Sequence, residues 1–213
     1  MKKGTFTRTG RPKSEEKRDA IIDAASDLFL AKGLRATSMD AVAEQAGVSK
    51  QTVYSHVKNK EELFREVVIT KVESYGFAET ALPEEPDLEA ALFTMGTRFI
   101  DLLLDDEVVA MHRVVIGESV DYPEIAKLFY QTGPGTAIRA IAKFLDQQMQ
   151  QGRLKTDDPR YTAVLFLNMV RGHYQMQCLM GLPLDIDRAA LEAHIRKVVG
   201  QFLSLYGKPR EGR

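Results

Sequence analysis

Between Thr37 and Val57 the chain reads TSMDAVAEQAGVSKQTVYSHV, and this stretch limits the fold more than any other. Val42, Ala43 and Ala46 recur at helical spacing, which predicts one apolar helix face. Gly47 supplies a residue free to take positive φ in a short turn between helices. Val48 fills the angle behind that turn. Ser49 suits the N-cap of a second helix, whose inner face carries Val53 and Val57. The pattern is that of a helix-turn-helix. Its outer face holds Lys50, Gln51, Thr52, Tyr54, Ser55 and His56, cationic and hydrogen-bonding groups suited to phosphates and base edges in a DNA major groove.

The charge distribution agrees. Residues 1–71 carry 14 Lys and Arg against 10 Asp and Glu, whereas residues 72–213 carry 15 against 20. A basic head beside an acidic body suits contact of the head with a polyanion; a solvated surface with a basic tail is the plainer alternative. The single cysteine, Cys178, excludes an internal disulfide framework and a zinc site of several cysteines, and a reducing, cytoplasmic setting is expected; no metal or other cofactor is expected. The N-terminus lacks the apolar run of a secretory signal. No apolar run approaches the length of a membrane span.

Residues 1–13 read as a flexible basic arm. Ser14 is expected to cap a first helix whose buried stripe is Ile21, Ile22, Ala25, Leu28 and Phe29, with Lys32-Gly33 at its end. Thr37 or Ser38 caps the next helix. Asn59 caps a fourth, with Glu62 at the capping-box position and Lys58 and Lys60 beside its N-terminus. These boundaries give a helix-turn-helix domain over 14–58, a connecting helix over 59–80 and a body over 81–213. In the body, helices are expected at about 87–104, 107–119, 123–132, 134–151, 159–180 and 187–206. Pro123, Pro134 and Pro159 fall where a first turn tolerates proline, and Asp158 and Asp187 suit N-caps. With no strand alternation and no repeat, the chain is expected to be all-α: a three-helix head plus a helical bundle, nine or ten helices in all.

At this point the chain resembles the TetR/AcrR family of transcriptional regulators. The resemblance runs from Ile21 to Phe64: Ala25, Phe29 and Gly33 in the first helix, TSMDAVAEQAGVS at 37–49, TVYSHV at 52–57 and KNKEELF at 58–64. Gln51 stands where the family often has Gly, and Val57 where it usually has Phe. The body is similar to the AefR-like C-terminal domain of one branch, through RVVIGES at 113–119, YPEIAKLFYQTGPG at 122–135 and GRL at 152–154.

The resemblance implies a homodimer whose heads enter successive major grooves of a roughly palindromic double-stranded operator, with repression as the usual mode. In those terms Lys50, Gln51 and Thr52 read base edges. Tyr54, His56 and Lys60 hold phosphates. Thr37 and Ser38 do the same through their hydroxyls, or else serve only as caps. Arg8 and Arg11 either reach a minor groove or add non-specific charge.

The resemblance also implies a small, largely apolar effector bound in the body. The wall residues on offer are Phe93, Phe99, Met111, Phe129, Phe166, Met169 and Tyr174, all equally suited to plain core. Polar residues in apolar surroundings, His112, Arg113, Asn168 and His173, meet either a ligand or an internal partner, Glu118 for Arg113 among them. Phe166, Val170, Val199 and Phe202 on the last two helices are expected at the dimer surface, since helices this apolar need two faces buried. A regulator answering to a protein partner, or to nothing, is the alternative. The chain carries no HExxH, no GxSxG and no phosphate-cradling glycine loop, and GPG at 133–135 opens a helix, so an enzyme is not expected.

Overall fold

The computed structural model describes residues 13–78 and 87–208. The basic arm with Arg8 and Arg11, and the PEEP segment, lie outside the described residues. Those described form eleven helical elements and one isolated antiparallel bridge, Leu154 to Gly207. None of the helices is long and apolar enough to cross a membrane. The chain divides into two compact units, Met1–Val67 and Val68–Arg213.

The head contains α1 (Lys13–Ala36), α2 (Met39–Gln45), α3 (Lys50–His56) and the first half of α4 (Lys60–Ser74). Ser14 lies inside the first turn of α1 rather than capping it, and the helical course breaks at Gly33 (φ 80°, ψ 167°). Ile21, Ala25, Phe29, Val42, Val53, Leu63 and Phe64 form a core with 5% exposure or less. Phe29 and Phe64 meet edge to face at 5.6 Å. Ser38 and Ser49 cap α2 and α3, accepting from Ala41 N and Thr52 N at 3.1 Å each. Asn59 Oδ1 accepts from Glu62 N at 2.8 Å while the Glu62 carboxylate accepts from Lys58 N at 2.6 Å, a variant of the expected capping box in which the return bond reaches the residue before the cap. Gly47 takes φ 65° in the turn, a conformation that penalises any residue with a Cβ.

The body adds α5 (Leu88–Leu104), α6 (Asp106–Glu118), α7 (Pro123–Thr132), α8 (Pro134–Gln150), α9 (Pro159–Arg171), α10 (Tyr174–Leu179) and α11 (Arg188–Tyr206). Its middle is α8, which packs on α5, α7 and α9 and buries Ile138, Ile141, Phe144 and Leu145. Helix α11 lies on α5 and α9. Two boundaries differ from expectation. The connecting helix ends at Ser74, followed by Gly76 at φ 82°, rather than running on to 80. The expected helix 159–180 is two helices, because Gly172 adopts φ 53°, ψ −137°, a region closed to other residues.

Candidate nucleic-acid interface and effector site

Helix α3 offers its outer face to solvent. Gln51 and Tyr54 are exposed, His56 half-buried. The Thr52 amide donates to Ser49 Oγ, and the two hydroxyls are 2.8 Å apart, so Thr52 takes part in capping its own helix. Lys50 Nζ stands 2.6 Å from Asp40 Oδ1, and that hydrogen bond holds the ammonium above its ordinary range. Lys50 must leave Asp40 to reach a base, whereas Gln51 has no such tie. Ser38 caps α2 from an exposed position, where a helix N-terminus favours anions.

Thr37 serves differently than expected, and Lys60 has backbone partners as well. Thr37 is 3% exposed, and its one hydroxyl hydrogen is shared between the Leu28 and Gly33 carbonyls, 3.1 and 2.8 Å from Oγ1. It stitches the end of α1 and is shut off from solvent. Lys60 Nζ donates to the Arg35 and Thr37 carbonyls at 3.1 and 3.0 Å. Of its three N–H donors one remains for a phosphate.

In the body, most of the proposed wall residues pack against other side chains of the bundle or stand at its surface. Phe99 packs edge to face on Phe77 at 6.1 Å. Phe166 packs on Phe202 at 5.1 Å. Phe93 lies under the Arg196 guanidinium of α11, 5.0 Å from ring centroid to carbon. Tyr174 sits between His173 and His194 at 4.4 and 5.2 Å. Asn168 and His173 are exposed, and Met169 is half-buried. Arg113 is also exposed; it donates to the Cys178 and Leu179 carbonyls and so closes the end of α10 rather than facing a ligand or depending on Glu118.

His112 is the exception. Its ring meets Phe129 edge to face at 4.8 Å, with the buried Met111 beside it in sequence. Nδ1 lies 2.7 Å from the Val108 carbonyl, which can only accept, so Nδ1 carries the hydrogen. Nε2 of the neutral ring then accepts from the Gln175 amide at 3.3 Å. Burial holds the imidazole below its ordinary value against that backbone bond, and Arg171 pushes it further down. Gln175, 6% exposed, and Arg171 were not marked by the sequence pattern. Gln175 reaches His112 across 63 residues, and Arg171 has the appearance of an ordinary last-turn cation.

The four residues assigned to a dimer surface are buried within the chain itself: Phe166, Val170 and Phe202 are 0% exposed and Val199 1%. Apolar periodicity marks a buried face without saying which chain buries it.

Comparison with known proteins places this geometry. Residues 21–67 match the model of the bacterial regulatory proteins of the tetR family. Residues 90–208, more than half of the chain, match that of the AefR-like transcriptional repressor C-terminal domain. The HTH-type transcriptional regulator YhgD of Bacillus subtilis is 28% identical over 165 residues, 73% of this chain and 81% of YhgD. A TetR-family regulator from Mesorhizobium loti MAFF303099 superposes with a TM-score of 0.75 at 30% identity, over 93% of this chain and 100% of that one. The flavonoid-responsive regulator FrrA gives 0.74 at 36% identity, over 92% and 99%. The chain is a non-enzymatic transcriptional regulator with a helix-turn-helix DNA-binding domain, and it belongs to the TetR family, with an AefR-like C-terminal domain.

Proposed function

We propose that the protein represses transcription as a homodimer on a roughly palindromic operator and is released by a small, largely apolar effector bound beside His112. The carrying observation is the polar pair His112–Gln175, held against Phe129 inside an apolar bundle, in a chain 36% identical to a regulator named for its response to flavonoids. A few placed polar groups in an apolar wall are what orient a small ligand.

Hydrogen bonds lead from that site to the end of α4. His112 bonds the Val108 carbonyl one turn earlier in α6. The Val108 amide donates to Asp105 at 3.0 Å. Asp105 in turn holds Lys71 in the last turn of α4 and Tyr75 just beyond it. An effector shifts the heads only by its difference in affinity for their two arrangements.

On DNA, Gln51 reads a base edge, with Lys50 and Thr52 adjoining; Ser38, Tyr54, His56 and Lys60 hold phosphates. The test selects operators from random duplexes with the purified protein, then titrates flavonoids into the complex. Selected sites should be two-fold symmetric, and at least one flavonoid should release them. Gln51→Ala should alter the selected bases, whereas Tyr54→Phe should weaken all sequences alike. Complexes indifferent to every flavonoid would argue against this effector class, and unaltered preference in Gln51→Ala against Gln51 as a reader.

A further inference from the structure

Arg171 ends α9 within the body. Its Nε is shut from solvent without a hydrogen bond, and the guanidinium has no hydrogen-bond or ion-pair partner among the described residues. The groups whose fields it shares lie on α6 and α7: it acts on His112, and Tyr130 acts on it. Burial lowers its affinity for the proton, and only the Tyr130 phenol opposes that. A cation held half out of water without a counter-charge is costly unless something else supplies one.

Its neighbours make the site rich in donors. His112 gives its one N–H to Val108 and spends Nε2 on Gln175, so it is neutral and adds no charge. The Gln175 amide has a second N–H, and Gln175 follows Arg171 by four residues. The Phe129 ring supplies an apolar wall against His112. The site therefore carries one positive charge, surplus N–H donors and an aromatic side.

We infer that Arg171 is the anion-recognising residue of the effector site, and that the effector is a weak organic acid: an apolar, ring-sized body ending in one anionic oxygen group, a carboxylate or an acidic phenol. The planar guanidinium matches such a group with parallel hydrogen bonds. The inference rests on the effector-responsive reading above and adds the charge of the ligand to it.

The test is calorimetric titration of the full chain with two matched pairs, 2-naphthoic acid against 2-naphthamide and 7-hydroxyflavone against 7-methoxyflavone. The acidic member of each pair should bind about tenfold or more tightly than its neutral partner, the range of a hydrogen bond to a charged group. Arg171→Gln should erase that preference by weakening only the acids, and Arg171→Lys should restore part of it. Melting without ligand supplies a separate check: Arg171→Gln should melt no lower than the parent, since it removes an unpartnered charge. A clear drop would make Arg171 a fold residue and overturn the inference. Equal binding of acid and neutral members by the parent would also overturn it, while leaving the effector-responsive reading in place. No binding by any of the four would overturn both.

Discussion

His112 is where a single side chain registers both packing and pH. Burial keeps its folded form less willing to take a proton than the free imidazole, whose ordinary value is 6.5. Protonation also removes the lone pair that accepts from Gln175. Between the lowered folded value and 6.5 the unfolded chain binds more protons than the folded one, so stability falls as pH falls through that window and levels off below it. The expected result is a parent that loses stability on going from about pH 7.5 to about pH 5.5, at no more than about 1.4 kcal/mol per pH unit from this residue. His112→Gln should lack that component in urea titrations at the two pH values; an identical slope in both proteins would refute it. Residues whose partners are near in sequence are legible from sequence alone. Ser38, Ser49 and the Asn59–Glu62 box cap helices three residues away. Gln175 and Arg113, whose bonds span 63 and 66 residues, are not, because composition and spacing carry no record of which distant backbone a side chain will meet. Thr37 misleads for a related reason: a hydroxyl beside a helix start resembles a cap or a phosphate ligand until α1 folds back over it.

Among the elements, α6 depends most on one residue at its start. Asp105 Oδ1 accepts from the Glu107 and Val108 amides at 3.0 Å each, which caps the helix. Its other oxygen accepts from Tyr75 at 2.8 Å and pairs with Lys71 at 3.0 Å. Burial pushes the carboxyl up, but the hydrogen bonds from Lys71 and Tyr75 more than offset it, and the group stays below its ordinary value. On the other side of the same bond, burial and then the Asp105 carboxylate push the Tyr75 phenol up to about 12. Asp105→Ala loses the cap and the ties to Lys71 and Tyr75 together and should destabilise the body by about 2 to 4 kcal/mol in urea unfolding. Asp105→Asn keeps an oxygen for the cap and should cost about half as much. Equal losses in the two variants would mean that the charge contributes nothing. The helix boundaries themselves are largely readable, since Pro123, Pro134 and Pro159 each open a helix and a fixed φ suits a first turn. The division at Gly172 is not, because a glycine's residue type permits positive φ without requiring it.

For the whole molecule, the burial of Phe166 and Phe202 inside one chain relocates the surface on which two copies would meet. Phe166 packs on Phe202, and the Val170 carbonyl lies 3.1 Å from His194. Helices α9 and α11 therefore run antiparallel, and the start of α9 lies beside the end of α11. At that shared end Tyr161 is 60% exposed and Leu205 61%, large apolar groups of the kind that isologous interfaces cover. Phe202→Glu is no test of association, since a carboxylate in that core would unfold the body. Leu205→Glu is one, because the residue already stands in water in the single chain. If α9 and α11 carry the dimer, this variant should keep the parent's helical content and melting behaviour in dilute solution while sedimenting as a monomer. Its binding to a symmetric operator should weaken by about 10² or more, because each head then binds without the other's help, whereas its binding to an isolated half-site should match the parent's. A Leu205→Glu protein that sediments as a dimer would place the two-fold contact on another face of the bundle.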